Sequence, residues 1–107
     1  MKKASTFPSE KEEKKLFKEL QLARKEKKSV NEKILTSKIK KCYTPLVSKV
    51  VRPMAHTEAE ALDFRRWGLK GLAEAAKRYD LGRKYRFMTY AIWWIRQSIL
   101  KKGIGGE

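Results

Sequence analysis

The chain has 107 residues, which is room for one domain with a modest core. Lys and Arg total 27 against 12 Asp and Glu, and the net charge of +15 favours a polyanionic partner, nucleic acid first and a membrane surface second. No window is apolar enough to cross a membrane or act as a signal peptide, and the single Cys42 excludes an internal disulfide and fits a cytoplasmic home.

In chain order, residues 1–8 are polar and patternless and read as a flexible tail. Ser9 with Glu12 three positions on has the spacing of a capping box. Glu10, Glu12 and Glu13 suit a first turn, and Arg24, Lys25, Lys27 and Lys28 suit a last one. With Leu16, Phe17, Leu20 and Ala23 as the apolar stripe, the spacing predicts a helix over about residues 10–27. Ser29-Val30-Asn31 reads as a break, with Asn31 capping a second helix through about Tyr43 and Ile34, Leu35, Ile39 and Cys42 turned inward. Thr44-Pro45 can start a new helix, or the second helix can run through with a kink at Pro45. Both readings fit Leu46, Val47, Val50 and Val51, which end at Pro53.

Residues 53–56 form a loop, and Thr57 with Glu60 repeats the capping-box spacing. Leu62, Leu69, Leu72, Ala76 and Tyr79 then make a core stripe. Gly68 and Gly71 lie inside that helix at a cost of about 1 kcal/mol each, which points to close approach of another backbone. Residues 80–84 turn the chain into a last helix over Tyr85–Lys102, and residues 103–107 form a second flexible tail. The pattern is all-α: a compact bundle of four to five helices over residues 9–102.

The last helix has two unlike faces. Met88, Ala91, Ile92, Ile95 and Ile99 fall on one side at about 100° per residue. Arg86, Tyr90, Trp93, Gln97 and Lys101 fall opposite, with Trp94 beside them, and no acidic residue occurs from Leu81 to Lys102. Aromatic residues at helical spacing fit a core. The interleaved charges favour an outward face on which unpaired bases stack while cations hold phosphates. No Gly-rich phosphate loop, Ser/His/Asp set or metal-spaced cluster is present, and His56 stands alone, so no enzyme, metal or cofactor is expected.

Two runs carry a family resemblance. Gly71-Leu72-Ala73-Glu74-Ala75-Ala76-Lys77-Arg78-Tyr79-Asp80, followed by Tyr85 to Ile99, resembles the second conserved region of bacterial sigma-70 family sigma factors, the specificity subunits of RNA polymerase. Phe87-x-Thr89-Tyr90-Ala91-x-Trp93-Trp94-Ile95-Arg96-Gln97 is similar to that region's most characteristic segment. Residues 9–28 resemble the helix that precedes the region, and residues 31–52 resemble its first helix. Regions three and four have no counterpart, so the chain reads as a fragment or an unusually short factor.

The resemblance implies binding to core RNA polymerase and capture of the non-template strand of a minus-ten promoter element. By that resemblance, Arg96 and Gln97 face the upstream edge of the element while it is duplex. Trp93 and Trp94 wedge against the last intact base pair, and Tyr90 replaces a flipped adenine in the stack. Tyr79, Asp80 and Arg83 line the pocket for that base. Lys84, Arg86 and Lys101 hold phosphates, and Tyr85 and Thr89 touch the strand.

The resemblance also implies that Asp63, Arg66, Trp67, Leu69 and Lys70 lie on the face that docks on the clamp coiled coil of the largest polymerase subunit. Here Arg66, Trp67 and Leu69 stand where the family has Gln, Glu and Asn, which makes that face more basic and more aromatic. Leu100 replaces a Thr that assists Gln97, so upstream base discrimination is expected to differ. Two other functions fit the composition: a general basic single-strand binder, and a protein that occupies the sigma site on polymerase without melting DNA.

Overall fold

The computed structural model describes residues 7–102, so the expected tails at residues 1–6 and 103–107 lie outside the described residues. Four helices follow in order: α1 (Glu10–Lys25), α2 (Ser29–Val51), α3 (Glu58–Arg78) and α4 (Phe87–Leu100). This is the expected all-α bundle.

Helix α1 begins where its box predicts. Ser9 Oγ accepts from the Glu12 amide at 3.2 Å, and Glu12 Oε1 accepts from the Ser9 amide at 2.9 Å. Such a cap contributes about 1 kcal/mol. The helix stops at Lys25, two residues short of the expected end. Lys27 enters the left-handed region at φ 58°, and the Lys27 and Lys28 amides return to the carbonyls of Arg24 and Ala23.

Helix α2 corrects one expectation and decides between the two readings at Pro45. It starts at Ser29 and not at Asn31, without a side-chain cap, and it runs unbroken through Pro45. Proline cannot donate to the carbonyl one turn back, and Thr44 Oγ1 bonds the neighbouring Lys40 carbonyl at 2.7 Å. The buried stripe is Ile39, Tyr43, Leu46, Val47 and Val50, so Tyr43 turns inward. The predicted Ile34 lies outside at 60% exposure, while Leu35 and Cys42 are half-buried. Apolar residues on both sides of this helix permit either rotation. The partner of the Tyr43 hydroxyl, described below, favours the observed one.

Helix α3 is capped by Thr57 Oγ1, which accepts from the Glu60 amide. Glu60 reaches one residue further back than its box requires, to the His56 amide at 2.7 Å, a bond that holds its carboxyl below the usual range. The glycines decide the packing. A Cβ on Gly71 would lie 2.5 Å from the Trp94 carbonyl oxygen and 2.9 Å from Ile95 Cα. One on Gly68 would lie 2.8 Å from Val47 Cγ1. Helices α3 and α4 run antiparallel in this contact, with Gly71 against Ile95 and Gly68 against Ile99. Because the glycines take the inner face, Leu62 and Leu69, expected in the core, are outside, while Leu72, Ala76 and Tyr79 are buried as expected.

The core holds a cluster of rings under the start of α4. Phe17, Tyr43 and Tyr79 all meet Phe87, with centroids 4.8, 4.8 and 5.4 Å away. Full burial of each such side chain is worth about 1.5–3 kcal/mol. Phe7, assigned to the N-terminal tail, is half-buried and stacks on Tyr43 at 6.0 Å.

Candidate nucleic-acid interface

Helix α4 has no side-chain cap of its own at Arg86. A carboxylate from α1 takes that place. Glu13, only 2% exposed, accepts from the Phe87 amide at 3.0 Å, from the Tyr43 hydroxyl at 3.0 Å and from Arg86 Nε at 3.2 Å. A negative group at a helix N-terminus also meets the positive end of the dipole. Burial, reinforced by the Glu13 charge and hydrogen bond, pushes the Tyr43 phenol far above the ordinary tyrosine range. Arg86 is further held by the Pro8 carbonyl at 3.3 Å.

Sequence reasoning gave Glu13 only a share in the first-turn dipole. The spacing Glu13, Phe17, Leu20 is i, i+4, i+7, which puts the carboxylate on the apolar face, and this signal was available. Gln21 was missed too. Its Oε1 accepts from the Leu81 amide at 3.0 Å and pins the loop before α4 to α1.

The aromatic residues of α4 and its loop form one interlocked group. Tyr85 lies nearly parallel to Tyr90, with centroids 5.8 Å apart and planes at 19°. Tyr90 meets Trp94 edge-on, and Trp93 stands at 88° to Trp94 with centroids 5.3 Å apart. The Arg83 guanidinium lies 4.7 Å from the centre of Tyr90 and donates to the Tyr85 hydroxyl at 3.0 Å, a bond that raises its pKa. Tyr85, Thr89, Tyr90 and Trp93 line a shallow cleft. Trp93 is 55% exposed and Tyr85 43%, while Tyr90 is half-buried. Asp80, Lys84, Thr89, Arg96 and Lys101 are exposed, and Gln97 is partly so.

Three expected contact residues are placed differently. Tyr79 is 4% exposed and donates to the Tyr85 carbonyl at 2.7 Å, so it supports the loop from below and does not line an open pocket. Burial raises its pKa, with Glu13 adding to the effect. Arg86 is engaged by Glu13. Trp94 is half-buried under the Arg78 guanidinium, 5.1 Å from its ring, and its Nε1 is buried without a partner among the described residues. Asp80 Oδ1 accepts from the Gly82 amide at 2.8 Å and shapes the turn.

On α3, Asp63, Arg66, Leu69 and Lys70 are exposed, with Arg66 paired to Asp63 at 3.1 Å. Trp67 is half-buried against Phe64, and its carbonyl accepts from Ser98 Oγ of α4. The structure therefore separates an aromatic and cationic face on α4 from an aliphatic and charged face on α3. Among the described residues no group of three His, Cys, Asp or Glu could hold a metal, and no helix is long and apolar enough to cross a membrane.

Residues 39–102, which carry both faces, match the family Sigma-70 region 2. The chain belongs to this family. Sigma-70 region 2 is a module of RNA polymerase sigma factors and has no enzymatic activity of its own. Among curated proteins, the chain is 35% identical over 82 residues to the chloroplastic RNA polymerase sigma factor sigD of Arabidopsis thaliana, covering 72% of this chain and 20% of that protein. It is 41% identical over 56 residues to the RNA polymerase sigma-C factor of Nostoc, covering 52% of this chain and 14% of that protein. It is 37% identical over 65 residues to the RNA polymerase sigma factor SigA4 of Synechococcus elongatus, covering 61% and 21%. The chain spans about a fifth or less of the length of these relatives. No solved structure matches it.

Proposed function

We propose that this region 2 module docks on core RNA polymerase through the outer face of α3 and captures the opened non-template strand of a minus-ten-like element on α4. The observation that carries the reading is the exposure of Trp93 on α4 and of Tyr85 in the loop before it, beside Tyr90, in a run with no acidic residue. Rings of this kind accept bases whatever their edge pattern, and each stacked base returns about 1–3 kcal/mol. Extruding a base costs a few kcal/mol, least at easily unstacked TA steps. A small number of aromatic contacts therefore offsets local melting without ATP, provided the open strand is bound better than the duplex.

In this reading Trp93 abuts the last base pair and Tyr90 takes the place of an extruded base. Trp94 and Tyr79 act from beneath, by holding those rings. Arg83, already over Tyr90, lines the base site, and Lys84, Arg96 and Lys101 meet phosphates. Arg96 and Gln97 are placed to read the duplex edge. Asp63, Arg66, Trp67, Leu69 and Lys70, with Leu62, form the polymerase face, whose cations and aliphatic groups call for a clamp surface matched to them.

A fluorescence titration with TATAAT-like and scrambled single strands, with and without core polymerase, tests this. The matched strand should bind more tightly, and Trp93→Ala should weaken it by about tenfold or more without loss of fold. Equal affinity for both strands would reduce the module to a general single-strand binder. Polymerase binding with no strand capture would leave only the docking role.

A further inference from the structure

Trp94 is the middle member of the aromatic group on α4. Tyr90 meets it at 66° and Trp93 at 88°, both edge-on. Its Nε1 is buried with no partner among the described residues, so no hydrogen bond of its own sets the angle of the indole. The polar group that grips the ring comes from another helix. Gly71, Glu74 and Arg78 of α3 are spaced i, i+3, i+7 and share one side of that helix. Gly71 brings α3 so close that a Cβ there would lie 2.5 Å from the Trp94 carbonyl oxygen. Further along the same side, the Arg78 guanidinium lies over the Trp94 ring, 5.1 Å from its centroid, within the range of a cation–π contact. Glu74 Oε2 accepts from Arg78 Nε at 2.8 Å.

We propose that Glu74 and Arg78 are positioning residues for the tryptophan pair of α4. Glu74 fixes the guanidinium over Trp94, and Trp94 so held sets the angle at which Trp93 is presented. The use of that angle, against the last base pair, rests on the strand-capture reading above. This pair is unlike an ordinary solvated one. Arg66 and Asp63, also on α3, are 71% and 52% exposed, and water competes for their contact. Glu74 is more sheltered, at 26%, and its partner lies on a ring. Nor is Arg78 a free phosphate contact. A carboxylate at 2.8 Å already meets its charge, whereas Arg96 and Lys101 lie in the acid-free run. Arginine suits the post because its planar group lies flat on an aromatic face while Nε, in the same plane, points at a carboxylate.

Two measurements on the full chain test this. The first is the NMR spectrum of the indole N–H groups in the free protein, where Trp67, Trp93 and Trp94 are the only tryptophans. Glu74→Ala and Arg78→Ala should move or broaden the Trp94 and Trp93 signals more than that of Trp67. Both variants should keep the fold, since Ala is the best helix former. The second is titration with TATAAT-like and scrambled single strands. Each variant should lower the ratio of matched to scrambled affinity by about three- to fivefold, with the salt slope unchanged in Arg78→Ala. Glu74→Gln, which keeps an acceptor for Nε, should restore most of the ratio, and Arg78→Lys should not. Glu10→Ala is the control: it breaks the 3.7 Å pair with Lys14 on α1, removes the same charge and should change neither readout. Unmoved Trp93 and Trp94 signals, or a wild-type ratio in both alanine variants, would overturn the proposal. So would a salt slope lowered by about 0.7 for both strands in Arg78→Ala, the mark of a phosphate contact. A wild-type chain that does not tell the strands apart would sink the capture reading instead, and the indole signals alone would then decide the positioning role.

Discussion

The two ends of α4 make different use of the same kind of residue. At its start, Arg86 is tied to a buried carboxylate and a carbonyl from the first ten or so residues of the chain. Further along, Arg96 and Lys101 point to solvent beside the exposed Trp93. In the sequence both ends belong to one acid-free run. The difference is Glu13, which lies 73 positions before Arg86 and neutralises one end only. A cation becomes a strut when a distant element supplies a buried partner, and stays available to a ligand when none does.

Glu13→Ala is the strongest way to break this contrast. It strands the Tyr43 hydroxyl, the Phe87 amide and Arg86 together, and should cost about 3 kcal/mol, at the low end for a broken buried pair because Arg86 is 40% exposed. Thermal unfolding measures it, and a melting temperature within a degree of wild type would contradict the anchoring role. Glu13→Gln should fall between the two, since it keeps acceptor capacity but loses the charge.

An intermediate effect concerns pH. The folded-state pKa of Tyr43 is raised, so its stabilising contribution is complete below the unfolded value near 10 and is lost as pH climbs above it. Between those limits the unfolded chain has released a proton that the folded chain retains. Stability should therefore fall by up to about 1.4 kcal/mol per pH unit from this group. Tyr43→Phe should flatten the alkaline limb of a urea stability profile, and an unchanged slope would count against the buried phenol. Tyr79, raised in the same direction, should leave a smaller residual slope.

The smallest effect sharpens the comparison most directly. Lys101→Ala should lower the salt slope of single-strand binding by about 0.7–1 and weaken all sequences alike. Arg86→Ala should leave that slope nearly unchanged and reduce stability instead. Equal slopes for the two variants would mean that the two ends of α4 are not functionally distinct.

Much of the fold was legible because its signals are local. Ser9 with Glu12 and Thr57 with Glu60 mark helix starts through bonds that close within one turn. Gly68 and Gly71 announced close approach, since nothing else justifies two glycines inside a helix. The misjudged positions lie where a helix has apolar residues on more than one side. Leu62 and Leu69 lost the inner face of α3 to the glycines, and Ile34 lost that of α2 to Tyr43. Periodicity gives the shape of a stripe, but the neighbouring helix chooses which stripe is covered.

From the residues alone came an all-α bundle of four to five helices, the strong positive charge, and the run around Trp93 and Trp94 that resembles sigma region 2. Tertiary structure decided which tryptophan stays open, that Tyr79 supports the loop from inside, and that Glu13 closes the start of α4. Caps and helical periods are fixed by atoms a few residues apart, so a linear reading reaches them. A side chain's access to solvent or ligand depends on groups tens of positions away, and only folding brings those groups together.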